Sequence, residues 1–215
     1  MDNLEKLQTI AHQIKICTLC SLSKTATNPV PGSGDPNAEI MFIGEAPGFN
    51  EDQQGIPFCG RSGKLLDELL ASIGLDRSKV FVANVLKHRP PDNRDPLPEE
   101  IEVCKDYLDK QIAIIAPKVI VGLGRFAMMK FLPFGKITLD HGIAQSIDYN
   151  GHNYIFIPMF HPAAALRATG VNNQIHADFL KIREEITKIE KLQKPIEPFA
   201  EPKFTEPEVE QLTLV

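Results

Sequence analysis

The chain has 215 residues, of which 43% are hydrophobic and 24% charged, a composition typical of a globular protein with one well-filled core. No stretch approaches the roughly 18 apolar residues of a membrane span, and the polar N-terminal segment lacks the apolar core of a signal peptide. These features argue against membrane and secreted classes, and we expect a cytoplasmic monomer. The net charge of −5 does not exclude a nucleic-acid partner, because residues 195–215 hold five acidic residues and one lysine.

Four short apolar runs predict buried β-strands, in chain order at 39–44, 80–86, 119–124 and 154–160. Helical periodicity is found at 63–73, at 98–115 and from about 174 to 193. Strands that alternate with helices predict an α/β fold with a mostly parallel sheet, in which ligands bind at the carboxyl ends of the strands.

The domain organisation follows from a change of composition near Lys194. Residues 1–194 carry the strand and helix patterns and are predicted to form one domain. Residues 195–215 are rich in Pro and Glu and have no core periodicity, so we predict a disordered acidic tail.

Polar side chains lie at the ends of three predicted strands. The stretch GEAPG brings Glu45 to the end of the first strand, Asn84 lies in the second, and His161 follows the fourth. Phe58, in the Gly-rich loop 44–63, offers an apolar face beside them. Each residue alone also fits a structural role, as a satisfied buried amide, a loop-capping histidine or a core phenylalanine. Their joint placement favours a binding site, although GEAPG matches neither common nucleotide-binding fingerprint.

Cysteine and histidine residues form a second candidate site. Cys17 and Cys20 have the C-x2-C spacing of metal ligands, Cys104 lies on the apolar face of a predicted helix, and His88 follows the strand that carries Asn84. Three sulfurs and one imidazole fit structural zinc and also fit an iron–sulfur cluster, and spacing does not choose between them. Cys59 is interpreted as a small core residue.

Several motifs in a fixed order identify a known family. After the C-x2-C pair come GEAPG-x2-ED-x4-PF-x-G-x2-G, then N-V-x-K-x-RPP-x-NR-x-P, then HPAA. This order resembles the family 4 uracil-DNA glycosylases, the iron–sulfur class, over about residues 4–190. The resemblance implies a three-layer α/β/α domain around a four-stranded parallel sheet. It also implies hydrolysis of the N-glycosidic bond of deoxyuridine in DNA, the step that starts base excision repair.

The resemblance also implies roles for the strand-end residues. Uracil has to be flipped out of DNA into a pocket that stacks its face and reads its edge. Glu45, Asn84 and His161 are the predicted catalytic residues: Glu45 orients water or stabilises the sugar cation, Asn84 pairs with the uracil edge, and His161 donates to O2. The base-binding residues would also include Phe58 as stacking plate, Glu51 near C5, and the backbone at Ala46.

The family's third cluster cysteine is replaced here, because the V-K-C-R of the family's V-K-C-R-P-P reads Leu86-Lys87-His88-Arg89 in this chain. The resemblance therefore implies a [4Fe–4S] cluster held by three cysteines and a histidine, with zinc as the alternative. The ligands would be Cys17, Cys20, His88 and Cys104.

Basic residues around the pocket are predicted to contact DNA phosphates, although each also fits a solvated surface charge. The loop 163–172 is predicted to fill the vacated base stack with Leu166 and Arg167 at its tip, and an ordinary surface loop fits equally. The phosphate contacts predicted are Lys87, Arg89 and Arg94, with Arg61, Lys64 and Arg167.

Two other functions and one further partner remain open. The chain also fits a superfamily member that acts on another deaminated base, or a non-catalytic module that binds damaged DNA or metal. At its end, Gln211 to Val215 resembles the Q-L-S/D-L-F peptide by which bacterial repair proteins bind the sliding clamp. The prediction is a weak clamp contact through Leu212, Leu214 and Val215, on a tail that raises the local concentration of the domain.

Overall fold

The computed structural model of the chain describes residues 1–192. Its strands are β1 (Ser33–Gly34), β2 (Ile40–Gly44), β3 (Phe81–Asn84), β4 (Val119–Leu123), β5 (Gln145–Tyr149) and β6 (His152–Met159). Its helices are α1 (Asn3–Lys15), α2 (Phe49–Gln54), α3 (Arg61–Ser72), α4 (Pro98–Ile115), α5 (Arg125–Phe131), α6 (Ile137–Asp140), α7 (Pro162–Ala165) and α8 (Thr169–Leu192). The predicted acidic tail and its clamp-binding end lie outside the described residues.

The strands form one sheet in the order β1-β3-β2-β4-β6-β5. The four inner strands are parallel, which confirms the predicted four-stranded parallel sheet, while β1 and β5 pair antiparallel at the two edges. The edge strands were not predicted. β5 and β6 form a hairpin whose turn, Asn150–Gly151, has positive φ at both residues. Asn-Gly is a strong hairpin signal, so the sequence did contain a cue for β5.

Helices pack on both faces of the sheet and complete the predicted three layers. On one face α3 and α8 contribute Leu66 and Phe179, and the Phe179 ring stacks on Phe42 of β2 at 5.8 Å between centroids. On the other face α4 and α5 contribute Ile112 and Met128. Residues from all four inner strands lie fully buried between these layers, which accounts for their continuous apolar sequences.

Two helix boundaries differ from the sequence prediction. α3 starts at Arg61, two residues before the predicted start, and α8 starts at Thr169 rather than near residue 174. The predicted wedge loop 163–172 is therefore wrong in extent, because α7 and the first turn of α8 occupy most of it. Leu166 and Arg167 lie in the short connection between these helices.

The parallel register brings the carboxyl ends of the inner strands to one edge of the sheet. Gly44 of β2 pairs with Asn84 of β3, and Leu123 of β4 pairs with Met159 of β6. The residues that follow these four ends therefore meet in space, as predicted for a parallel sheet. Within residues 1–192, no helix is long and apolar enough to cross a lipid bilayer.

Candidate active site

A cavity of about 570 Å³ lies at this edge of the sheet, within the usual size range of small-molecule sites. The structure brings the predicted catalytic and base-binding residues together in its wall. They are Glu45, Ala46, Glu51, Phe58, Asn84 and His161. Arg94 and Arg167 also line the cavity, as do Asp95 and Arg125, which were not predicted.

Asn84 presents a buried hydrogen-bond acceptor in the cavity wall. The residue is 2% exposed, and its Oδ1 has no hydrogen-bond partner among the residues that the structure describes. A Cβ atom on the neighbouring Gly44 would lie 2.4 Å from this oxygen, so only glycine fits there. A buried acceptor without a partner costs stability, and such an atom is typical of a residue that binds a ligand.

The ring of Phe58 is held in the cavity wall by backbone contacts. Phe58 has a φ of +50°, a conformation that a bulky residue rarely adopts. Arg77 Nη2 donates to its carbonyl oxygen at 3.0 Å, and a Cβ atom at Gly63 would come within 1.6 Å of that oxygen. The ring stacks on His161, with 5.4 Å between centroids and 25° between planes. Phe58 is thus placed by surrounding residues and not by its own backbone preference.

His161 is both a helix cap and a cavity residue. Its Nδ1 accepts from the Ala163 N–H at 3.1 Å, at the start of α7, so the neutral ring carries its proton on Nε2. Burial lowers the pKa of His161 to about 4; the negative charge of Glu51 opposes this shift and the positive charge of Arg167 adds to it. The imidazole is therefore neutral near pH 7 and offers one N–H donor.

Glu45 has an environment that favours its protonated form. Its pKa is raised to about 6, first by burial and then by the negative charge of Asp95, while the positive charge of Arg125 opposes the shift. Arg125 and Asp95 form an ion pair with each other at the cavity mouth. The second acid, Glu51, is 8% exposed and accepts from the Gly60 N–H at 3.0 Å through Oε1. At neutral pH the Glu45 carboxylate is available as a base or as a charge that stabilises a cation.

One predicted phosphate contact is wrong. Lys87 is only 1% exposed and donates through Nζ to the Asn84 carbonyl oxygen at 2.9 Å and to Gln111 Oε1 at 2.8 Å. Burial lowers the pKa of Lys87 to about 8. The charged sequence around this residue suggested a surface position, but the side chain folds back beneath β3 and cannot touch a phosphate.

The other basic residues remain near the surface. Arg94 donates to both carboxylate oxygens of Glu100, at 2.9 and 2.6 Å, and Arg89 lies over the Phe49 ring. Arg61, Lys64 and Arg167 are exposed, as is Leu166 at 43%. Arg94 thus has an internal partner, while the others stay predicted DNA contacts.

The predicted metal ligands are only partly assembled. Within residues 1–192, no three His, Cys, Asp or Glu side chains are grouped so that they could hold a metal ion. The pKa of the Cys104 thiol is raised to about 11, chiefly by burial; the charge and the backbone N–H of Lys87 oppose this shift, and Cys20 and Cys17 are close enough to contribute to it. Burial lowers the pKa of His88, and the negative charge of Asp52 opposes this shift. Three thiols therefore share one region, and the charge that acts on His88 is that of Asp52.

Comparison with known proteins gives a consistent result. Residues 31–186 match the family model described as the uracil DNA glycosylase superfamily. A type-4 uracil-DNA glycosylase of Archaeoglobus fulgidus is 48% identical over 186 residues, which cover 84% of this chain and 94% of that protein. A type-4 enzyme of Sulfurisphaera tokodaii is 46% identical, over 86% of this chain and 85% of that protein. A type-4 enzyme of Thermotoga maritima is 43% identical, over 76% of this chain and 84% of that protein. With identity at this level along most of its length, the chain belongs to the type-4 uracil-DNA glycosylases.

Proposed function

We propose that this protein removes uracil from DNA by hydrolysing its N-glycosidic bond. The observation that carries this proposal is the buried Asn84 Oδ1 without a hydrogen-bond partner among residues 1–192, in the wall of the cavity. The same amide offers one acceptor and one donor, which matches the N3–H and O4 of uracil. Cytosine presents the opposite arrangement, with an acceptor at N3 and a donor at C4, so Asn84 discriminates against it.

The residues around the amide supply the remaining steps. The Phe58 ring stacks on the face of the flipped base, and Glu51 stands at C5, where it opposes the methyl group of thymine. As the bond to the sugar breaks, negative charge develops on uracil O2, and the neutral His161 donates its Nε2–H to that oxygen. The Glu45 carboxylate directs water to the sugar or stabilises its positive charge.

DNA contacts follow from the exposed residues at the cavity rim. Arg167 lines the cavity and Leu166 is its exposed neighbour, so this connection is placed to fill the gap that a flipped base leaves. Arg89 lies over the Phe49 ring and directly precedes the cavity-lining Pro90, and it is a further proposed contact. The clamp contact through Gln211–Val215, the cytoplasmic location and the monomeric state stay predictions from the sequence.

Release of free uracil from a labelled oligonucleotide tests the function directly. The protein is expected to release uracil and to leave cytosine and thymine in place, because Asn84 and Glu51 oppose these two bases. Release of hypoxanthine from an oligonucleotide of the same sequence is measured in parallel. Excision of hypoxanthine with no excision of uracil would replace the proposal with the alternative of another deaminated base.

We also propose a [4Fe–4S] cluster at the thiol site. Cys17, Cys20 and Cys104 supply three thiolates in one region, and His88 takes the place of the family's third cluster cysteine. When bound, the cluster would cross-link the N-terminal segment, through Cys17 and Cys20, to Cys104 on α4 and to His88 after β3.

Protein purified without oxygen is expected to contain about four irons and four sulfides per chain. Ligation by one histidine should give a higher reduction potential than four cysteines do, so His88→Cys is expected to lower the potential. His88→Ala with unchanged iron content and unchanged potential would contradict ligation by His88. Stoichiometric zinc without iron would contradict the cluster itself.

A further inference from the structure

Lys87 is a buried cation that the proposed reaction leaves without a role. Its Nζ contacts two neutral oxygens, the Asn84 carbonyl and Gln111 Oε1. Burying an ammonium group against neutral acceptors costs stability, and an apolar side chain of similar length would fill the same space without that cost. Global stability therefore does not explain the choice of lysine here.

Several contacts fix Lys87 to the frame of the domain. Gln111 belongs to α4, and its Nε2 donates to the Pro31 carbonyl oxygen at 2.7 Å. The Val30 N–H donates to the Lys87 carbonyl oxygen at 2.8 Å, and the Lys87 N–H hydrogen-bonds to the Cys104 thiol. The ammonium group therefore connects the carboxyl end of β3 to α4 and to the segment at residues 30–31.

Asn84 needs such an anchor because it lies at the end of its strand. The pairing of β2 with β3 stops at Gly44 and Asn84, and the side-chain Oδ1 has no partner among the described residues. The direction of the amide is then set by the backbone at Asn84 and by packing against Gly44 and Phe58. Recognition of a base edge requires placement within about 0.5 Å. A contact on the Asn84 carbonyl oxygen acts on that placement directly.

We propose that Lys87 is a positioning residue, which holds the backbone at Asn84 so that its amide faces the edge of a flipped uracil. The proposal rests on the uracil-excising function proposed above. It reassigns Lys87 from a surface contact with phosphate to an internal support of base recognition.

The test is a double-mutant cycle between Lys87→Met and Asn84→Ala, measured as the single-turnover rate of uracil release. Lys87→Met in the otherwise unchanged protein is expected to lower this rate about tenfold, the effect of one lost charge-assisted hydrogen bond. In the Asn84→Ala background the same change should alter the rate by less than about twofold, since the residue to be positioned is gone. The affinity of Lys87→Met for DNA with an abasic analogue, which has no base to recognise, should stay within about twofold of the affinity of the unchanged protein.

Lys130→Met is the matched control, because the Lys130 side chain is only 9% exposed but pairs with Asp109 on α4 instead of contacting Asn84. Lys130→Met should change the rate of uracil release by the same factor in the otherwise unchanged protein and in the Asn84→Ala background. If Lys87→Met does not fold, Gln111→Met provides the second variant. It removes one partner of the ammonium group and should give a smaller loss that also disappears in the Asn84→Ala background.

Two results would overturn the inference. One is that Lys87→Met lowers the rate of uracil release by the same factor with Asn84 present and with Asn84 replaced by alanine. The other is that Lys87→Met lowers the affinity for abasic DNA by as large a factor as it lowers the rate. Both results indicate a general structural role. Absence of uracil release by the unchanged protein is a different result, which contradicts the proposed function and not the positioning role alone.

Discussion

Replacing His161 by alanine is expected to lower the single-turnover rate of uracil release by about 10²-fold, the usual effect of removing one donor to a developing anion. Asn84→Ala is expected to lower it by at least about tenfold, because the base edge loses both of its partners. Neither change should unfold the domain, since the only contact of the His161 ring nitrogens that the structure gives is the cap to Ala163, and Asn84 Oδ1 has no partner among residues 1–192.

The control for His161 is His152→Ala, at the exposed start of β6 and outside the cavity lining. It should retain the full rate. Circular dichroism and thermal unfolding of each variant separate a loss of chemistry from a loss of fold. Full activity in both Asn84→Ala and His161→Ala, with the fold intact, would remove these residues from the site.

The parts of the fold that the sequence predicted are those encoded locally. The inner strands are buried on both faces, so their apolar runs are continuous and easy to recognise. β1 has only two residues, and β5 alternates between partly buried and exposed residues at an edge, so neither gives such a run. Residues at the strand ends were predictable because a parallel sheet brings its carboxyl ends to one edge, so Asn84 and His161 were expected in one site.

The residues that sequence reasoning missed act through contacts distant in the chain. Arg77 supports Phe58 from 19 residues away, and Arg125 pairs with Asp95 across 30. Local sequence patterns do not predict contacts between residues so far apart in the chain. Lys87 was misplaced for the same reason: Lys-His-Arg-Pro-Pro is the composition of an exposed loop, and only packing against α4, through Gln111, buries the lysine. Composition predicts exposure on average, and tertiary contacts decide it for a single residue.

Glu45→Gln is expected to lower uracil release by about 10²-fold, because the amide is close in shape to the carboxyl group but neither takes a proton nor carries charge. In the unchanged protein the carboxylate is the active form, and the pKa of Glu45 is raised to about 6, first by burial and then by Asp95. The rate should therefore be full well above this pH and fall about tenfold per pH unit well below it. His161, with a pKa lowered to about 4, stays neutral through most of this range and does not cause the fall.

The ion pair at the cavity mouth provides a test of Glu45 as the titrating group, because its two members shift the pKa of Glu45 in opposite directions. Asp95 raises the pKa of Glu45 and Arg125 lowers it, so Asp95→Asn should extend activity to lower pH, and Arg125→Gln should make it fall at higher pH. Loss of a general DNA contact would change the height of the pH profile and not its position, because phosphates do not titrate in this range. The matched control is Glu102→Gln, in an exposed ion pair on α4 that lies outside the cavity lining, which should leave the profile in place. Shifts of the same sign in the two variants, or a fall near pH 6 that persists in Glu45→Gln, would show that another group controls the acid limb.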